Sequence, residues 1–88
     1  MNTEIYINHP NFGLLYQICL VGNNQELFTT LYAQRLYFVV SNQPEGLEFQ
    51  PVTRNEARIM LETRLRMLRR NGQIGDYKEL MKMHQQHF

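Results

Sequence analysis

The sequence has no tryptophan, only three prolines and a single cysteine. Cys19 has no partner for an internal disulfide, and no Cys-x-x-Cys pair is available to hold a metal. A reducing, cytoplasmic setting is therefore expected. No apolar run approaches the roughly 20 residues that cross a bilayer. Met1-Asn2-Thr3-Glu4 places no basic segment ahead of an apolar one, so no secretory leader is expected. Glycine-rich phosphate loops of the Gly-x-Gly-x-x-Gly and Walker types are missing, and no close carboxylate pair suggests acid–base work. The net charge is only +1, which excludes the bulk basic field of a histone-like binder. With 88 residues there is room for one small domain, or one with an appendage, and little for a self-contained enzyme.

The chain does have an ordinary globular share of apolar residues, 43%. Its character changes near Pro51. Ahead of it, five segments rich in β-formers are punctuated by turn residues: Glu4–Ile7, Leu14–Val21, Glu26–Leu31, Leu36–Val40 and Leu47–Gln50. The stops between them are Asn8-His9-Pro10, Gly22-Asn23-Asn24, Ser41 to Gly46, and Pro51. Short strands at this spacing predict a meander that curls into a small barrel. Leu14–Val21 is a continuous apolar run that also suits a helix, but its length and flanking glycines favour a strand.

Beyond Pro51 the period becomes helical. Thr53-Arg54-Asn55-Glu56 matches a capping box. Ala57, Met60, Leu61, Leu65 and Leu68 form one stripe, and Asn71-Gly72 is a stop. Asp76 is the expected cap of a second helix, with Tyr77, Leu80, Met81, His84 and Phe88 on one face and about five loop residues before it. The pair is expected to form an antiparallel hairpin. The fold class is thus α+β, with residues 1–52 as a strand domain and 53–88 as a helical hairpin tethered, and movable, at Pro51-Val52-Thr53.

Charge is segregated. Residues 1–53 hold Arg35 against Glu4, Glu26, Glu45 and Glu48, a net of −3. Residues 54–70 hold arginines at 54, 58, 64, 66, 69 and 70 against Glu56 and Glu62, a net of +4. The arginine helix reads as a solvated face partly paired to the acidic strands, as a protein-docking face, or as a nucleic-acid contact. A phosphate-tracking helix would more often have a basic neighbour.

No catalytic constellation emerges. Cys19 lies inside an apolar run and reads as a packed thiol. His84 and His87, three apart, have the spacing of two metal ligands, but a zinc site needs three or four and no others suggest themselves. His84 is expected to pack in the hairpin, His87 to fray with the chain end, and His9 to have no role. The apolar content of the strands is the unusual feature. Leu36, Phe38 and Val40 alternate with Tyr37 and Val39; Leu14, Tyr16, Ile18 and Leu20 alternate with Leu15, Cys19 and Val21. One narrow interior cannot hold both sets, so the remainder meets the helices, a partner or water. Tyrosine buries area while keeping a polar tip. Tyr6 and Tyr32 are therefore candidate anchors of a protein-binding module.

Three stretches are distinctive: Tyr6-x-Asn8-His9-Pro10-x-Phe12-Gly13-Leu14-Leu15-Tyr16-x-Ile18-Cys19; Glu26-Leu27-Phe28-x-Thr30-Leu31-Tyr32-Ala33-Gln34-Arg35-Leu36-x-Phe38; and Glu56-Ala57-Arg58 with Arg64-Leu65-Arg66-x-Leu68-Arg69-Arg70. Over nearly its whole length the chain resembles the PipX family, the PII-interacting proteins X of cyanobacteria. The resemblance implies a Tudor-like (KOW- or SH3-like) five-stranded β-barrel followed by two helices, no enzymatic activity and no cofactor. It implies two partners. The trimeric signalling protein PII would hold the protein when 2-oxoglutarate is low. NtcA, a CRP-family activator in its 2-oxoglutarate-bound form, would be coactivated by it. The GntR-type regulator PlmA would be reached through PII. By resemblance the shared surface includes Glu4, Tyr6, Tyr32, Gln34, Arg35, Leu36 and Phe38, with Arg69 adding a polar contact; alternation allows Phe38 to be core instead. The alternative is a nucleic-acid-binding Tudor- or KOW-like module that uses the arginine helix.

Overall fold

The computed structural model describes residues 5–22, 24–32 and 35–88. Five strands, β1 (Tyr6–His9), β2 (Gly13–Gly22), β3 (Gln25–Thr30), β4 (Tyr37–Gln43) and β5 (Gly46–Val52), precede two helices, α1 (Arg54–Arg70) and α2 (Ile74–His87). The strands pair antiparallel in sequence order, a meander that curls into a half-barrel. The expected α+β class, with strands curled first and a helical hairpin second, is what the chain forms.

Several boundaries differ from the sequence reading, each for a local reason. Asn8 and His9 extend β1 instead of stopping it, pairing with Leu14 and Gly13. The turn closes because the His9 Nδ1 accepts from the Asn11 N–H at 3.0 Å and the Phe12 N–H at 3.3 Å. Gly13 follows at φ +76°, a conformation that suits glycine. Pro51 does not end β5. It lies opposite Phe38 in an outermost strand, where a missing N–H is tolerated. β4 likewise runs on through Ser41 to Gln43 before turning at Gly46.

Alternation sorts the apolar strand residues into two layers. Leu15, Phe28, Phe38 and Val40 fill the inside of the curl with Ile7, Leu36 and Phe49 against them. Leu27, Tyr37 and Val39 join Ile18 and Cys19 in a second cluster with Ala57, Leu61, Leu65, Leu68 and Leu80 of the helices. Strict alternation in β2 would put Ile18 and Cys19 on opposite faces. A register shift between Gln17 and Cys19 brings both to the helix side, as an extra bulge residue does. The helices thus cover the second apolar face. The core crosses the chain boundary at residue 52, so the hairpin is seated on the sheet along its length and not only at Pro51-Val52-Thr53. Truncating Leu61, fully buried in this shared core, should cost about 2–5 kcal/mol.

The capping box forms as read. Thr53 Oγ1 accepts from the Glu56 N–H at 3.0 Å, and Glu56 Oε1 accepts from the Thr53 N–H at 2.8 Å. At the other end the Gly72 N–H reaches the Arg69 carbonyl and the Gln73 N–H reaches Leu68, a Schellman closure with Gly72 at φ +74°. That closure hands the chain straight into α2. Gln73, not Asp76, is its N-cap; Asp76 lies in the first turn, where its charge favours the helix end.

Candidate partner-docking surface

The connection between β3 and β4 carries Tyr32, and its base is held by threonines. Leu36 N–H donates to Thr30 Oγ1 at 3.0 Å, Thr30 N–H donates to the Leu36 carbonyl at 3.1 Å, and Thr29 Oγ1 donates to the same carbonyl at 2.9 Å. Leu31 N–H donates to the Leu14 carbonyl at 3.0 Å, tying the loop to β2. From this fixed base Tyr32 stands 68% exposed, the most open of the large apolar side chains among the described residues. Tyr6, 43% exposed, sits opposite Tyr16 in the β1–β2 register, with ring centroids 6.4 Å apart.

Behind Tyr6 a polar chain leads to the end of α2. Tyr16 Oη and His87 Nε2 are 2.5 Å apart, and His87 Nδ1 lies 2.9 Å from Arg35 Nη1. A guanidinium only donates, so Nδ1 accepts. In the neutral ring the proton then sits on Nε2 and is donated to the Tyr16 oxygen. Arg35 Nη1 also donates to the Gln86 carbonyl at 3.0 Å, and Arg54 Nη2 to the His87 carbonyl at 3.0 Å. The Arg54 guanidinium lies over the Phe88 ring, 5.2 Å from its centroid. Burial, with the nearby Arg35 charge second, holds His87 below the usual imidazole range. Burial pushes the Tyr16 hydroxyl above its ordinary value.

His87 is therefore 5% exposed and bonded on both sides, not frayed. His84 packs in the hairpin as expected, its Nε2 2.9 Å from Glu62 Oε2. The two imidazoles face different partners, and no cluster of metal-ligating side chains forms among the described residues. Cys19 is a packed thiol, pushed up to about 12 by burial.

Of the candidate contacts, Tyr6, Tyr32 and Arg35 are exposed and Leu36 is half-buried. For Phe38 the sequence left surface and core open, and the structure takes the core: at 4% exposure it belongs to the interior of the curl, on the face opposite Tyr37 and Val39, and it supports the surface from beneath. Arg69 is not brought to Arg35. It sits 15 residues along α1 from Arg54, about 22 Å at 1.5 Å per residue, at the far end of the hairpin. Glu4 and Gln34 lie outside the described residues. Sequence reasoning missed Tyr16, Arg54 and His87 as a group, and it gave His9 no role although its ring also packs on Phe12, Phe38 and Phe49.

The molecule is a small α+β module that presents aromatic and guanidinium groups on one end of a curled sheet. Comparison with curated proteins yields no match. The family of PII-interacting protein X, PipX, matches residues 3–88, and the chain belongs to that family. A PII-type protein is thus its partner class.

Proposed function

We propose that the protein is a non-enzymatic cytoplasmic adaptor in nitrogen and carbon signalling. PII holds it when 2-oxoglutarate is low. NtcA in its 2-oxoglutarate-bound form takes it when 2-oxoglutarate is high and is thereby coactivated; PlmA joins through PII. Both partners compete for one patch built around Tyr6, Tyr32, Arg35 and Leu36, with Glu4 and Gln34 as further contact residues. The protein itself need bind no metabolite, because the effector changes each partner's affinity for the same patch, which is linkage between coupled equilibria. About 1.4 kcal/mol in either affinity moves that partner's share tenfold.

The observation that carries this reading is Tyr32, held on a hydrogen-bonded base and left open in a chain of the PII-interacting family. Exposed tyrosines are frequent anchors, often worth 2 kcal/mol or more on truncation. Calorimetry with PII, and separately with NtcA plus 2-oxoglutarate, tests it. Tyr32→Ala should weaken both complexes by about tenfold or more while the far-ultraviolet spectrum stays unchanged. Undiminished affinity for both would remove the patch from consideration.

A nucleic-acid reading has one observation in its favour. Arg66, Arg69 and Arg70 are exposed near the end of α1, and none of them pairs with a carboxylate among the described residues. A gel shift with isolated protein at low salt decides it. Tight binding with a steep salt dependence would favour phosphate contact.

A further inference from the structure

We propose that the slot between β4, β5 and the start of α1 is a carboxylate-reading subsite. It takes an aspartate or glutamate of a partner polypeptide together with the apolar side chain next to it, the acid being held by Arg35 and Arg54. The inference rests on the docking reading above and adds Phe12, Pro51 and Arg54 to that surface.

The slot has a volume of about 410 Å³ and is walled by Phe12, Leu36, Phe38, Pro51 and Val52, with Arg35 and Arg54 completing it. Both arginines are exposed, and among the described residues neither pairs with a carboxylate. Each is nonetheless fixed from one side: Arg35 on the Gln86 carbonyl and His87 Nδ1, Arg54 on the His87 carbonyl and over the Phe88 ring. The two guanidiniums thus converge on adjacent residues of one helical turn. A guanidinium has five N–H donors, and these contacts leave most of them unused. A fork already held in place loses less freedom on binding, and its geometry matches a carboxylate. An apolar ligand without charge would leave both cations unserved. A bare phosphate would leave the apolar wall unused. An acid beside an aliphatic or aromatic group satisfies both.

The probe is 3-phenylpropionate, titrated into the 15N-labelled full chain beside its uncharged counterpart 3-phenylpropanol. The acid should give saturable shifts at the amides of Phe12, Leu36, Val52 and Arg54, and the alcohol should bind about tenfold more weakly, the worth of a charge-assisted hydrogen bond. Arg54→Gln should weaken the acid about tenfold, and Arg54→Lys should restore part of that loss. Unchanged spectra away from the slot show that the variants fold. Equal binding of acid and alcohol, shifts that map elsewhere, or an Arg54→Gln variant that binds the acid like wild type would overturn the inference. PII calorimetry separates this from the docking reading. If Tyr32→Ala weakens PII while Arg54→Gln leaves it untouched, the subsite fails and the docking surface stands. If Tyr32→Ala has no effect on PII, the docking reading fails regardless of what the slot binds.

Discussion

Arg35 donates from one nitrogen, Nη1, to His87 Nδ1 at 2.9 Å and to the Gln86 carbonyl at 3.0 Å, joining positions 52 apart in the chain. A candidate partner contact is thereby also a clamp on the last turn of α2. The two roles have separable consequences for mutation.

The clamp should register in stability. Arg35→Gln should lower the unfolding free energy by about 1 kcal/mol, the net worth of a hydrogen bond. Tyr32→Ala, fully on the surface, should stay within about 0.5 kcal/mol. Urea denaturation of both variants measures this. An Arg35→Gln midpoint equal to wild type would mean that the contact contributes nothing.

Acid should loosen the same turn. His87 is neutral in the folded protein, because Nδ1 must accept from Arg35, and its protonation is depressed by burial first and by Arg35 second. The groups facing it are Tyr16 from β2, Arg35 from the β3–β4 connection, and Arg54 from α1 at its carbonyl, with Phe88 adjacent. The unfolded chain takes the proton near the ordinary value of 6.5. Stability from this group is therefore complete above pH 6.5 and declines as pH falls from there through the lower folded value. Melting temperatures from pH 7.5 to 5 should fall for wild type and fall less for His87→Gln. Glu56 and Glu62, held low by Thr53 and His84 respectively, act in a separate range below their ordinary 4.5. Parallel profiles for wild type and variant in the upper range would count against His87.

Tyr37 offers a prediction of opposite sign. Its hydroxyl is buried without a hydrogen-bond partner among the described residues, while its ring stacks on Phe88 at 5.4 Å. An unsatisfied buried hydroxyl costs free energy. Tyr37→Phe should leave stability unchanged or raise it by up to about 1 kcal/mol. A clear loss in thermal or urea unfolding would reveal a partner for the hydroxyl.

Phe38 should behave as core. Phe38→Ala removes a ring from the inside of the curl and should cost about 3–5 kcal/mol. Its effect on partner binding should follow the fraction folded. Calorimetry at a low temperature, where the variant is still folded, should show far less loss than a heated sample does. Equal loss at both temperatures would make Phe38 a direct contact.

Much of the fold was readable because it is written in short-range patterns. Five β-rich segments, the Thr53–Glu56 box, the stripe from Ala57 to Leu68 and the stop at Asn71-Gly72 all depend on residues within one or two turns of each other. Tyr6 and Tyr32 were identifiable as face residues for the same reason. The exceptions are instructive. The bulge between Gln17 and Cys19 leaves no mark in composition, yet it turns both Ile18 and Cys19 toward the helices. Proline at 51 was read as a stop because its rule depends on whether the strand is outermost, which only the sheet order reveals.

By itself the sequence determined the order and type of the strands and helices and that the strands carry two apolar faces, while leaving helices, a partner or water as the cover for the second. These follow from period, cap and turn chemistry, which act locally. Only the tertiary structure decided that α2 ends by closing Tyr16, His87 and Arg35 into one network, that Phe38 goes inward, and that Arg69 stands apart from Arg35. Those outcomes depend on groups up to 71 positions apart meeting at hydrogen-bond distance. No local pattern encodes such a meeting; it is settled by how the hairpin packs on the curled sheet.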